Sequence, residues 1–320
     1  MNTLQQEIEK LYSEQLTEWP QFKENVSQLN NVQIHSFDFG NYVMETQYNP
    51  ARIVSSNAKL DEKSIAARKC FLCPENRPAV QREVRLNERF IVLVNPNPIL
   101  KEHFTIPLIQ HQKQEILPYL GDMLDFAGEL PDYIIFYNGP KAGASAPDHM
   151  HFQAVRKGQL PLESEYQKIE KKVLIGDSNG KISTLQEYGR HCTLIQSSDK
   201  ETMRSLFQQV YIQLHEGAKA RRHEREEKTT PSCFRVFVPS CVSEEPMMNI
   251  FTLYENEQWN LFIFPRKAHR PSQFFAEGEN YKMISPGAID MAGIFVLPRK
   301  EDFDSVNKEI ISDVLEQVSL

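Results

Sequence analysis

Apolar residues recur along the chain with two periods, and the switches between them mark out its elements. From Thr3 to Leu16, the residues Leu4, Ile8, Leu11 and Tyr12 fall on one stripe at three- and four-residue spacing, the mark of a helix packed by one face. The stretch HSFDFGNYVMETQYNPARIVSS (35–56) reads as strand, turn, strand, with Asn49-Pro50 as the turn. RFIVLVN (89–95) is an apolar strand broken by Pro96-Asn97-Pro98, and HFTIPLI (103–109) is its return. Helical spacing then takes over from Gln110 to Ala127, through Ile116, Leu117, Leu120, Met123, Leu124 and Phe126, with Pro118 interrupting it. DYIIFY (132–137) is a further strand, 139–147 a loop, and DHMHFQAV (148–155) another strand.

A polar stretch from Lys157 to Ser183 divides the chain, and the pattern then starts again. Ser198 with Glu201 forms a capping box before a helix whose Met203, Leu206, Phe207, Val210, Tyr211 and Leu214 face a core. The charged run AKARRHEREEK (218–228) reads as a solvated helix end or loop. Strands are expected at 233–239, 247–254, 259–265 and 291–298. A closing helix turns Phe303, Val306, Ile310, Ile311, Val314 and Val318 inward. The halves echo each other: Pro107 precedes His111 as Pro265 precedes His269, and 145–157 has a shadow without histidines in 285–300. The fold class expected is α+β, with antiparallel sheets and flanking helices in two halves, 1–185 and 186–320.

Composition narrows the function. Lys and Arg number 36 against 43 Asp and Glu, a net charge of −7 that disfavours a general nucleic-acid binder or an anionic-membrane protein. No signal-peptide pattern opens the chain and no run of 18 apolar residues occurs, so a cytoplasmic protein is expected. In that compartment thiols stay reduced. Cys70 and Cys73, as C-x-x-C, therefore point to metal or redox chemistry, while Cys192, Cys233 and Cys241 read as small buried residues.

The chemistry concentrates in NGPKAGASAPDHMHFQ (138–153). Strand alternation puts His149, His151 and Gln153 on one wet face and Met150, Phe152 and Ala154 toward the core. A loop with Gly139, Gly143 and Ser145 comes just before them, and backbone amides in such a loop can converge on an anion. An imidazole beside a phosphate cradle points to nucleophilic attack on phosphorus through a covalent histidine intermediate. Alternate strand histidines are also metal ligands, so a metal site competes locally, as do two hydrogen-bonded surface histidines.

H-x-H-x-Q after N-x(4)-G-A-S resembles the active-site strand of the histidine-triad superfamily, in its transferase branch of galactose-1-phosphate uridylyltransferases, diadenosine tetraphosphate phosphorylases and GDP-hexose phosphorylases. Hydrolases of the superfamily usually end the motif with a third His where this chain has Gln153. Further segments are similar to the branch: Tyr48-Asn49-Pro50 through Ser55, Ala58 and Lys59; Cys70 to Asn76 as C-x-x-C-x-x-N; Asn95-x-x-Pro98 with His103; and Pro286-Gly287-Ala288 through Arg299 to Asp302.

The resemblance implies two histidine-triad-like halves, the first catalytic and the second degenerate but completing the substrate site. It makes His151 the nucleophile, Gln153 a donor to the phosphoryl oxygens, and Ser145 with the loop around Gly143 the phosphate cradle. Cys70, Cys73, His111 and His149 would bind a structural zinc ion, Zn(2+), with His103 the rival to His111. Asn95 belongs to the nucleoside wall and Asn138 to the loop. The cations of Pro265 to Pro271, Lys267 and Arg270 among them, could bind the acceptor phosphate, with Arg52 and Lys59 as minor candidates. The expected substrates are a nucleotide sugar or dinucleoside polyphosphate, with inorganic phosphate or a sugar phosphate as acceptor. A zinc-stabilised nucleotide sensor without turnover and a nucleotide hydrolase are the alternatives.

Overall fold

The computed structural model describes residues 3–53, 62–229 and 244–320, with side chains of 219–229 left aside. Lys59, Ser55, Ala58, Cys233, Cys241 and the strand expected at 233–239 lie outside the described residues. Thirteen strands are present there: β1 (Gln33–Asp38), β2 (Val43–Tyr48), β3 (Val84–Arg85), β4 (Ile91–Val94), β5 (Phe104–Pro107), β6 (Tyr133–Asn138), β7 (His151–Arg156), β8 (Lys171–Gly176), β9 (Gly180–Leu185), β10 (Thr193–Ser197), β11 (Met248–Glu255), β12 (Gln258–Pro265) and β13 (Ile294–Leu297). The helices are α1 (Thr3–Glu18), α2 (Pro20–Gln28), α3 (Glu62–Ala67), α4 (Leu120–Glu129), α5 (Pro161–Glu165), α6 (Lys200–Thr229), α7 (Ala288–Met291), α8 (Lys300–Ser305) and α9 (Lys308–Val318). This is the α+β architecture expected.

Ten strands form one antiparallel sheet in the order β3-β4-β5-β7-β6-β11-β12-β10-β9-β8. The two halves join through β6 and β11, which pair from Asn138↔Asn249 to Ile135↔Thr252. Strands β4 and β6 are buried along their whole length because the sheet is covered on both faces. One face carries α1, α2, α4 and α6, with Leu11, Phe22, Met123 and Phe207 packed on Phe104, Ile135, Phe152 and Ile263. The other carries the three-stranded sheet β1-β2-β13 and α7 to α9, with Phe295, Phe303, Val314 and Val318 packed against Phe136, Phe251 and Phe264.

Several expectations are corrected. The turn between β1 and β2 is at Gly40, held at φ +90°, with Phe39 N–H donating to Tyr42 O; Asn49-Pro50 instead ends β2 in a single 3₁₀ turn. Helix α4 starts only at Leu120. Pro118 lacks the N–H an interior helical residue must donate, and residues 112–114 run as an extended brace against 147–150. The polar divider 157–183 contains α5, β8 and most of β9. Strands β8 and β9 extend the sheet beyond β10, so the 185/186 boundary falls between paired strands. Asp199 rather than Ser198 caps α6, its carboxylate accepting Thr202 N–H at 2.7 Å. The closing helix is two: Asn307 interrupts it and accepts Ile310 N–H at 2.9 Å as the cap of α9. Finally, β13, read as the shadow of the histidine strand, leaves the large sheet to run parallel to β2, so the echo has no counterpart in position.

Candidate active site and metal centre

Strand β7 starts only at His151, not at Asp148: His149 sits in the turn before it, its N–H donating to Ala146 O, and alternation along β7 places Phe152 and Ala154 in the core with Met150, while His151 and Gln153 take the opposite face. That face is not wet. His149 is 0% and His151 3% exposed. His151 Nδ1 lies 2.8 Å from His149 O, and a carbonyl only accepts, so Nδ1 carries the proton and the Nε2 lone pair is left for chemistry. Burial pulls the His151 pKa down to about 4, keeping the ring neutral and nucleophilic at neutral pH.

Gln153 is oriented by His103. Ile99 N–H donates to His103 Nδ1 at 3.2 Å, which puts the ring proton on Nε2, and Nε2 donates to Gln153 Oε1 at 2.7 Å. With its oxygen tied, Gln153 can offer only its amide N–H groups. Burial pulls His103 down to about 3, so this tautomer persists. Asn95 Nδ2 sits 3.4 Å from His103 Nε2, its Oδ1 accepts Asn97 N–H, and Arg52 Nη1 donates to Asn97 O at 2.8 Å. Asn95, Arg52, His103 and Gln153 thus form one neighbourhood, and His103 stands apart from the cysteines.

The loop 139–147 is fixed by close backbone approach. Gly143 has φ +99°, and a Cβ there would lie 2.7 Å from Gly287 Cα, so only glycine fits where the halves meet. Asn138, expected to contact substrate, has its Oδ1 taken by Asn249 Nδ2 at 3.0 Å and Ala288 N–H at 2.8 Å. Asn249 Nδ2 also donates to Ala142 O. Ser145 is exposed at the loop surface.

The second-half cations separate on inspection. Arg266 is 2% exposed, and its guanidinium donates to Asn249 Oδ1 and to the carbonyls of Val318, Pro286, Ala268 and His269. Arg270 donates through Nε to Ser285 Oγ at 2.9 Å, and its guanidinium stacks 4.0 Å over Phe274. Lys267 is exposed.

Cys70, Cys73, His111 and His149 come together and can hold a metal ion, their ligand atoms within 4.8 Å of one another. His149 Nε2 donates to Leu108 O at 2.7 Å, turning the Nδ1 lone pair toward Cys70 Sγ at 3.3 Å and Cys73 Sγ at 3.6 Å. His111 Nδ1 is 3.1 Å from Cys73 Sγ. Asn76 Nδ2 donates to Cys70 O and closes the knuckle. Burial, with Cys70 alongside, pushes the Cys73 thiol up to about 11, so its thiolate is disfavoured here unless a cation stands beside it.

Sequence reasoning missed Gln114, 3% exposed, whose side chain bonds the main chain of His151. It sits in the polar run HQKQ, where nothing in the pattern sets it apart. The same holds for Asn249, and for the orienting role of His103.

Residues 11–156 match the family model of a domain of unknown function, DUF4922, and residues 244–320 match the one described as GDPGP1-like, C-terminal domain. In fold the chain is similar to the crystal structure of yeast Ap4A phosphorylase Apa2, with a TM-score of 0.61 over 100% of this chain and 95% of that one, at 12% identity. The complex of that enzyme with Ap4A gives 0.58 over 100% and 98%, and the complex with AMP 0.55 over 93% and 94%, both at 12% identity. At that identity the likeness speaks for the fold. No curated protein sequence matches the chain significantly. The histidine-triad-like resemblance drawn from H-x-H-x-Q holds, and the large antiparallel sheet with flanking helices is that of the Ap4A phosphorylase. Among the described residues no helix is long and apolar enough to cross a membrane.

Proposed function

We propose that the protein is a nucleotide phosphorylase working by nucleotidyl transfer through His151. The observation that carries this is the committed Nδ1 of His151, which leaves the Nε2 lone pair for chemistry on the strand face that also carries Gln153. In the first step Nε2 attacks the α-phosphorus of a nucleotide sugar or dinucleoside polyphosphate. The P–N bond forms as the P–O bond to the distal phosphate fragment breaks, and the electron pair leaves with that oxygen. In the second step inorganic phosphate or a sugar phosphate attacks, and Nε2 departs as it arrived. While the intermediate stands the ring is cationic, and its Nδ1–H bond to His149 O becomes charge-assisted. Gln153 has no proton to deliver, and a leaving group that is itself a phosphate needs none, which favours transfer over hydrolysis.

In this reading Gln153 and the loop holding Ser145 stabilise charge on the transferred phosphoryl group. Asn95 and Arg52 line the nucleotide end, Lys267 and Arg270 serve the acceptor, and Asn138 and Gly143 keep the loop in place. Residues 1–185 supply the chemistry and 186–320 complete the substrate site. Cys70, Cys73, His111 and His149 bind zinc. About 3.5–3.8 Å separates ligands around a tetrahedral zinc with thiolate and imidazole donors, near the 3.1–3.6 Å found between these histidines and thiols. With four protein ligands the ion is closed to substrate and stabilises the fold. Elemental analysis should return about one zinc per chain, and finding none removes this assignment.

The test of the reaction is incubation with nucleotide sugars and dinucleoside polyphosphates, each labelled at the α-phosphorus, with and without phosphate. Acid-labile label on His151, discharged by phosphate, is expected. No label and no phosphate-dependent turnover with any base would end the proposal.

A further inference from the structure

The ladder between β6 and β7 runs from Tyr133↔Arg156 to Phe136↔Gln153 and stops. Two residues further along, in the same register, Asn138 would meet His151. Instead the Gln114 side chain is inserted. Its Nε2 donates to Asn138 O at 2.9 Å and to His151 O at 3.0 Å, and its Oε1 accepts His151 N–H at 2.8 Å. A primary amide has one carbonyl and two N–H groups, and here the bonds to three main-chain groups use both N–H groups and the carbonyl. Gln114 is held in turn, its main-chain N–H donating to Pro147 O at 3.1 Å, while Met150 N–H donates to Gln112 O at 2.6 Å.

We propose that Gln114 is a positioning residue for the reaction above: its amide stands in for a strand, holds the β6 and β7 ends apart, and fixes the peptide that aims His151. Without it, three main-chain groups lose their partners in a buried setting. The strands can recover those bonds only by zipping further, which turns His151 and loosens its Nδ1 bond to His149 O. Glutamate in its place is nearly isosteric but, ionised, keeps only the acceptor and sets a carboxylate against two carbonyl oxygens. Methionine fills the space and makes none of the bonds.

The kinetic arm rests on the reading of His151 as nucleophile; the spectroscopic arm does not. Full-length protein with ¹⁵N-labelled histidine, wild type, Gln114→Met and Gln114→Glu, would be compared by NMR at one neutral pH, with His151 identified by its substitution. Wild type should show a single Nδ1–H tautomer for His151, and both variants a mixture of tautomers, with metal content unchanged. Single-turnover transfer of α-phosphorus label to His151 should slow about 10²-fold in Gln114→Met, with half-saturating substrate shifted less than about threefold, the signature of misaimed chemistry rather than lost binding. If Gln114→Met is unstable, the near-isosteric Gln114→Glu carries both readouts. A wild type that never labels while the variants still lose the tautomer sinks the phosphorylase reading and leaves the positioning role standing. A pure Nδ1–H tautomer in both variants, or labelling within about twofold of wild type, overturns the role of Gln114.

Discussion

Two places on one edge of the large sheet invite comparison: the start of β7, with His151, and the end of β12, with Arg266. Both are buried, and both looked from the sequence like chemistry. At β7 the hydrogen bonds stop one atom short, since His151 Nδ1 and the Gln153 oxygen are tied down while the atoms that could meet a phosphate are left over. At β12 nothing is left over. The guanidinium of Arg266 is spent on four carbonyls and Asn249, drawing together the C-terminal turn, the 286–288 segment and the loop of the other half. Charge buried among carbonyls is a clamp, whereas a neutral ring with one free lone pair is a reagent.

That contrast can be broken experimentally. The largest effect is expected from His151→Asn, which keeps a donor at the Nδ1 position but removes the nucleophile: phosphate-dependent turnover should fall at least ~10⁴-fold with the melting temperature nearly kept. Residual turnover within tenfold of wild type would mean that the wrong histidine has been named. Arg266→Met should do the reverse. Several carbonyls lose their donor, and the urea midpoint should show a loss of about 3–5 kcal/mol, while the folded fraction retains most of its rate. An unchanged midpoint would show that Arg266 is a ligand after all.

Acid should sharpen the comparison next. His103 has a folded pKa near 3 and His269 likewise, both lowered by burial, against about 6.5 in the unfolded chain. The unfolded state therefore binds more protons below pH 6.5. Stability is full above that value and falls as the pH drops toward 3, by about 1.4 kcal/mol per pH unit for each such ring. Urea titrations at pH 7.0 and 5.5 measure the slope, and His103→Gln should flatten it. The smallest effect is expected at exposed Lys267: Lys267→Ala should cost less than about 0.5 kcal/mol and raise the KM for phosphate only a few-fold. A hundredfold rise in that KM would make Lys267, rather than Arg270, the main acceptor contact.

Local pattern carried the strands well. The alternation that sent Met150, Phe152 and Ala154 into the core and His151 and Gln153 away from it was readable from six residues, and the C-x-x-C with His111 and His149 is brought together as expected. What failed was the environment of those positions. The histidine face was expected to be wet because what packs on that side of the sheet, such as Phe295 against Phe136, lies more than a hundred residues downstream. Arg266 was grouped with Lys267 and Arg270 because neighbours in sequence share a charge pattern, although only the first turns inward among carbonyls. Strands β8 and β9 escaped notice because β8 is exposed along nearly its whole length and shows no alternation. Gln114 could not be found at all, since a glutamine acting as main chain looks like any other glutamine.

The seam between β6 and β11 has a mechanical consequence. Four residue pairs weld the halves into one plate, and a hinge opening between them would have to tear that ladder beside His151. In the proposed reaction, substrate admission and product departure would therefore fall to side chains and loops along the rim, such as 95–101, rather than to a swing of one half away from the other.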